Sequence, residues 1–243
     1  QFAQLWVKPT LGLADWLQLL KFLWPEVLRR REESATLARF FYDTQRLAFH
    51  PELPRNEVPL EGSDFRVFVQ EMEPVRKKMQ QSDSPRDAVT VLSLQTVRAV
   101  ENAGRRQIIH AVQSEKEPDV LRGWARVATG RETCGWCLML VSRGPVYYEA
   151  NTAGLDLDEE SAKEMIAAGE DVSEFMEEWH TGCDCKVVPV FKKDDWENSQ
   201  LGRAAARALD LWNDATNEAI SILERDPERV HKYGKKKGQL MTR

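Results

Sequence analysis

The chain has 243 residues, a formal net charge of −5, and is 42% hydrophobic and 30% charged. That length suits one large domain or two small ones, and the composition can pack a globular core, which excludes collagen-like, low-complexity and disulfide-dense secreted scaffolds. The acidic balance argues against a basic nucleic-acid coat. The longest apolar stretch, Leu11–Leu28, is interrupted by Asp15, Lys21, Pro25 and Glu26, too often to span a bilayer. No secretory signal peptide with a cleavage site is visible. The chain opens on Gln1 rather than Met, so its native start can lie upstream.

The N-terminal part reads as helix. Leu13, Trp16, Leu17, Leu19, Leu20, Leu23 and Trp24 form a wide apolar face at helical spacing, and Pro25 is expected to interrupt or kink it. A second helical run, Val27 to Leu47, carries Leu37, Phe40, Phe41 and Leu47. The charges Arg29, Arg30, Arg31, Glu32 and Glu33 read as its solvated face. Residues 50–62 are a connector, because Pro51, Pro54, Pro59 and Gly62 oppose regular structure. Helix resumes near Ser63.

The next helix has the clearest signals. Ser84-Pro85-Arg86-Asp87 supplies a capping serine, a proline at the first helical position and an acid three residues after the cap. Val89, Leu92, Val97, Val100, Ile108 and Val112 continue its apolar stripe to about Gln113. Beyond Pro118 three strands are expected, over Val120–Thr129, Pro145–Tyr148 and Lys186–Phe191, the last at a sheet edge because of Pro189. Between the second and third strands Asp156–Trp179 holds ten acids and one lysine. Its apolar residues suit one or two short amphipathic helices capping the region. Helix returns from Trp196 to about Leu223, with a stripe of Leu201, Ala204, Ala205, Ala208, Leu211, Trp212, Ala215 and Ala219. The last segment, His231–Arg243, has five basic residues and no acid, and reads as a disordered tail. The expected fold class is thus α+β and mainly helical: a helical region over 1–117, a small Cys/His module over 118–192 with its acidic insert at 156–179, a helical segment over 193–230 and a tail over 231–243.

The chemistry concentrates in the module. The four cysteines, Cys134, Cys137, Cys183 and Cys185, fall in a 52-residue window as C-x2-C and C-x-C. A secreted scaffold would spread its cysteines to staple loops, so a reducing compartment is expected. A C-x2-C turn presents two thiolates to one ion, and His180, Cys183 and Cys185 follow 43 to 48 residues after Cys137. Five donors compete for four places. The favoured set is Cys134, Cys137, His180 and either Cys183 or Cys185; a four-thiolate set without His180 is the other. Four protein ligands leave no position for substrate, so the expected ion is one structural zinc whose binding contributes directly to folding.

Three further readings compete. Cys134-Gly135-Trp136-Cys137 matches the general form of thiol–disulfide oxidoreductases, which leaves His180, Cys183 and Cys185 unexplained. A cysteine nucleophile with His180 as base needs one unpaired thiol and an oxyanion hole. Four buried thiols without a ligand are the plainest alternative. His50, His110 and His231 read as packed or solvated residues, and the eight tryptophans as core or interface anchors. A nucleic-acid surface would need a basic face assembled from Arg105, Arg106, Arg122, Arg126 and Arg131.

The run Trp124-Ala125-Arg126-Val127-Ala128-Thr129-Gly130-Arg131-Glu132-Thr133-Cys134-Gly135-Trp136-Cys137 resembles the start of the C-terminal module of phage Mu F-like minor head proteins, in particular the branch from phages of actinobacteria. Ser142-Arg143-Gly144-Pro145-Val146-Tyr147 and His180-Thr181-Gly182-Cys183-Asp184-Cys185, leading into Lys186–Phe191, continue the similarity over roughly Val120–Phe191. The insert Asp156–Trp179 is longer than that family's compact connector. The resemblance implies a minor virion protein that assembles with the portal and with capsid or scaffold proteins at the inner face of the head, after assembly in the host cytoplasm. It implies no membrane association. Some members are labelled capsid maturation proteases, but no catalytic pair is visible in this sequence to support that activity. The basic tail, Lys232–Arg243, would give only weak, salt-sensitive contact with packaged DNA.

Overall fold

The computed structural model describes residues 12–60, 62–79, 85–117, 119–130, 133–145, 179 and 182–225. Among these residues five α-helices and two strands follow in the order α1 (Leu13–Phe49), α2 (Phe65–Met79), α3 (Pro85–Gln113), β1 (Leu121–Ala128), α4 (Gly135–Ser142), β2 (Cys185–Phe191) and α5 (Gln200–Arg225), with a 3-10 turn over Trp196–Asn198 before α5. This is the mainly helical α+β class. No helix among the described residues is long and apolar enough to cross a membrane.

The N-terminal half is a three-helix assembly. Phe68, Met72, Val75 and Met79 recur at helical spacing on α2 and are buried against Trp16, Leu19, Leu20 and Val27 of α1 and Ala88, Leu92 and Ala99 of α3. Trp24 packs its ring on Phe65 and Phe68, with centroids 5.6 and 5.3 Å apart. Asp64 starts α2 by accepting the Arg66 N–H at 2.7 Å. Arg76, Lys77 and Lys78 in its last turn suit the negative end of the helix dipole.

Two expectations for α1 are corrected. Pro25 does not interrupt it, and the helix runs unbroken for 37 residues. The proline removes one N–H, whose partner would be the carbonyl of Lys21. Both residues are exposed, so water can serve that carbonyl, while Trp16, Leu20 and Val27 anchor the helix on either side. The inward face of the second half is not Leu37, Phe40, Phe41 and Leu47, which are exposed, but Arg31, Ala35, Arg39, Tyr42 and Arg46. Arg31 therefore leaves the solvated face assigned to it. Its guanidinium donates to Ser63 Oγ, Glu71 and the Ala99 carbonyl at 2.9–3.0 Å. Arg39 donates to the Asn56 and Val58 carbonyls, and Arg46 to the Pro54 carbonyl and Glu115. The proline-rich connector has its backbone carbonyls satisfied by these side chains in place of a ladder.

The C-terminal half is built on the two strands. They pair antiparallel, from Leu121 opposite Phe191 to Ala128 opposite Cys185, and the register slips between Leu121 and Gly123. A two-stranded ribbon is marginal alone. Here Trp124, Ala125, Val127, Val187, Val190 and Phe191 bury it among Tyr42 of α1, Ile108 and Val112 of α3, Val141 of α4 and Ala205 and Ala208 of α5. Pro189 sits opposite Trp124 on one of the ribbon's two edges, as its missing N–H requires. Leu138–Val141, an apolar run of unassigned structure in the sequence, lies within α4.

Helix α5 packs closely on the turn before it. Ser199 Oγ accepts the Gly202 N–H at 2.9 Å, and a Cβ at Gly202 would lie 1.8 Å from the Trp196 carbonyl oxygen. Only Gly202, Ala205 and Ala208 of α5 are buried, so Leu201 and Leu211 of the expected stripe face outward. Val97 of α3 is likewise exposed. Ser84, the strand expected at Pro145–Tyr148 apart from Pro145, the acidic insert before Trp179 and the tail lie outside the described residues.

Candidate metal centre

Three of the five predicted donors meet in space. The Sγ atoms of Cys137, Cys183 and Cys185 all lie within 4.8 Å of one another, and all three residues are buried. Cys137 Sγ and Cys183 Sγ are 3.4 Å apart, and none of the four cysteines is in a disulfide. A tetrahedral zinc with Zn–S bonds of about 2.3 Å sets its sulfurs about 3.8 Å apart. The group therefore has the spacing and the soft donor chemistry to hold a metal ion. Cys134 is exposed and lies outside that group. It is the N-cap of α4, where its sulfur accepts the Cys137 N–H at 3.4 Å. His180 lies outside the described residues.

Local structure explains the convergence. Cys137 occupies the first turn of α4 and points into the core. Cys185 opens β2 and Cys183 lies two residues before it, and both sulfurs come within reach of Cys137. Asp184, between them, ties the other half of the site. Its Oδ2 accepts the Gly130 N–H at 2.8 Å and the Thr133 hydroxyl at 3.1 Å, and its carbonyl accepts the Thr129 hydroxyl at 2.6 Å. A Cβ at Gly130 would stand 2.2 Å from that carboxylate, so the close approach requires glycine there. The loop that delivers C-x2-C is thus fastened to the segment that delivers C-x-C.

Two buried arginines flank the sulfurs. Arg105 of α3 donates to the carbonyls of Cys185 and Cys183 at 3.0 and 3.1 Å. Arg126 of β1 is 1% exposed. The Trp179 ring lies against both guanidiniums, 3.6 Å from that of Arg126 and 4.6 Å from that of Arg105. The thiols share protons unequally. Hydrogen bonds from Cys137 and then Cys185, with the Arg105 charge, hold Cys183 far down, at about 2. Cys137 is pushed up, first by its bond to Cys183, then by that to Cys185 and by burial. Cys185 gains from its bond with Cys137, but its bond to Cys183 and burial outweigh that and raise it to about 12. Binding an ion would displace the protons that the thiols still carry.

Among the described residues the basic face proposed for nucleic acid is not assembled. Arg105 and Arg126 are buried beside the thiols, Arg106 pairs with Glu71 at 3.0 Å and Arg122 with Glu197 at 2.9 Å, and Arg131 lies outside the described residues. Asp184, Arg105, Arg126 and Trp179 are the neighbours of the site that motif reading left unassigned to it. Only Asp184 carried a local signal, its place between two cysteines.

The family model described as VG15 protein matches residues 14–215. The chain is 53% identical over 232 residues to the Gene 15 protein of Mycobacterium phage D29, covering 92% of this chain and 83% of that protein. It is 48% identical over 239 residues to the Gene 15 protein of Mycobacterium phage L5, covering 92% and 80%. No solved structure matches it. The chain belongs to the VG15 protein family, whose relatives here are bacteriophage gene products.

Proposed function

We propose that this chain is a minor head protein of a tailed bacteriophage, of the Mu F-like kind, with a structural and interaction role at the portal and the inner capsid surface. The observation that carries the reading is the buried three-thiol group joining the C-x2-C turn to the C-x-C strand, in a chain related to mycobacteriophage proteins. In this reading the group holds one structural zinc, with the fourth position supplied by Cys134 or His180. The exposed Phe22, Leu37, Phe40 and Leu47 along α1 favour docking on portal, major capsid or scaffold proteins. The tail 231–243 adds a weak contact with packaged DNA. The place of action is the capsid interior, reached after assembly in the host cytoplasm.

The rival reading, a capsid maturation protease with a cysteine nucleophile, asks for one accessible thiol beside a base. Three of the four thiols are buried and bonded among themselves, which favours the structural role. The test has two arms. Metal analysis of the reduced protein should give one zinc per chain, with thiols protected until chelation. Mass spectrometry of purified virions and of DNA-free heads should find the chain in both at low copy number. A metal-free protein with one fast-reacting thiol, or a chain absent from heads and virions, refutes the proposal.

A further inference from the structure

We propose that Arg105 is the positioning residue of the thiol centre, gripping residues 183–185 in the conformation that turns both Cys183 and Cys185 toward Cys137. The inference rests on the metal-binding reading above. In a C-x-C run the two sulfurs share a side only while the backbone between them stays extended. Cys183 and Asp184 precede the ladder, which begins at Cys185, so strand pairing does not hold them. Arg105 substitutes for the missing ladder. Its Nε and Nη2 donate to the Cys185 and Cys183 carbonyls at 3.0 and 3.1 Å, so one planar fork spans the repeat that sets the two sulfurs. The fork is itself held. Nη1 donates to Asn102 Oδ1 at 3.0 Å and Nη2 to Glu101 Oε2 at 2.9 Å, both from the same helix, and the residue is 3% exposed. Charge points the same way. A divalent ion on three thiolates carries a net −1, and a buried guanidinium beside it offsets that charge. Lysine at this position would keep the charge and lose the fork.

The experiment compares the full-length wild type, Arg105→Lys and Glu101→Gln. Zinc affinity is measured by competition with a chromophoric chelator, and thiolate coordination by the charge-transfer spectrum of the cobalt(II)-loaded proteins. The wild type should bind one ion. Arg105→Lys should bind roughly 10- to 100-fold more weakly, the size expected when a supporting neighbour of a metal ligand is lost, with a weakened thiolate-to-cobalt band. Equal affinity and an unchanged cobalt spectrum in Arg105→Lys overturn the inference. If that variant does not fold, Glu101→Gln decides. It keeps both carbonyl bonds but loosens the fork, so affinity should fall measurably; an affinity equal to wild type overturns the inference. A wild type that binds neither zinc nor cobalt instead overturns the metal-binding reading, and shows as flat titrations in all three proteins.

Discussion

Glu115 is the group whose removal should most damage the helical half. It lies just beyond α3 and is buried with Arg46, their side chains 5% and 6% exposed. Its Oε2 accepts from Arg46 Nε at 2.7 Å, the Tyr42 hydroxyl at 3.0 Å and Asn56 Nδ2 at 3.2 Å. Its Oε1 accepts from Arg46 Nη2 at 3.2 Å and from the Lys116 and Glu117 N–H groups at 3.2 and 3.4 Å. Burial alone would raise its pKa, but the bonds from Arg46, Tyr42 and Asn56 outweigh burial and lower it from an ordinary 4.5 to about 2. By linkage the difference contributes about 3 kcal/mol of stability at neutral pH. Because the folded carboxyl titrates below the unfolded one, the stabilisation is complete above about pH 4.5 and is lost as pH falls toward 2. Glu115→Gln should therefore cost about 3 kcal/mol at pH 7, and the gap should narrow to about 1 kcal/mol at pH 3. Urea unfolding of both proteins with a chelator present throughout measures this without interference from metal release. A gap under about 1 kcal/mol at pH 7, or the same gap at both pH values, refutes the assignment of Glu115 as the charged hub.

Two further outcomes test the other half. A chelator should lower the wild-type melting temperature by roughly 5 °C or more and leave Cys137→Ser, already short of one ligand, nearly unmoved; an equal effect on both proteins argues against Cys137 as a ligand. Gly202→Ala should cost about 3 kcal/mol, because its Cβ would meet the Trp196 carbonyl, which is backbone and cannot swing away. Gly135→Ala, which meets nothing within 4 Å, is the control and should be near neutral in a denaturation series.

Elements with strong local signals were legible in the sequence. Pro85 at the helix start and Asp87 in the first turn define the opening of α3, and the two described strands, Leu121–Ala128 and Cys185–Phe191, fall where strands are expected at Val120–Thr129 and Lys186–Phe191. The inward face of α1 was not legible. Periodicity weighs apolar residues, whereas this face buries three arginines whose partners, Glu71, Glu115 and the connector carbonyls, lie 8 to 69 positions away in sequence. At the site, cysteine spacing pointed to the module but not to which thiols meet in space. That both Cys183 and Cys185 face Cys137 while Cys134 caps a helix depends on how the chain enters β2 and on Arg105, contributed by a helix far upstream.

The same long-range dependence explains why the thiol group stands where it does. Two strands cannot stabilise themselves, and β1 and β2 are joined by a connection of more than fifty residues whose closure costs entropy before any pairing repays it. The helices α1, α3, α4 and α5 cover the ribbon, and the connection leaves and re-enters it at the end where Ala128 faces Cys185. At that end the Asp184 clamp, the Arg105 fork and the three sulfurs converge. A metal ion there would close that connection at its base, and so would stabilise the module more than the same ion bound at the Leu121–Phe191 end, where Tyr42 and Phe49 already pack on Phe191.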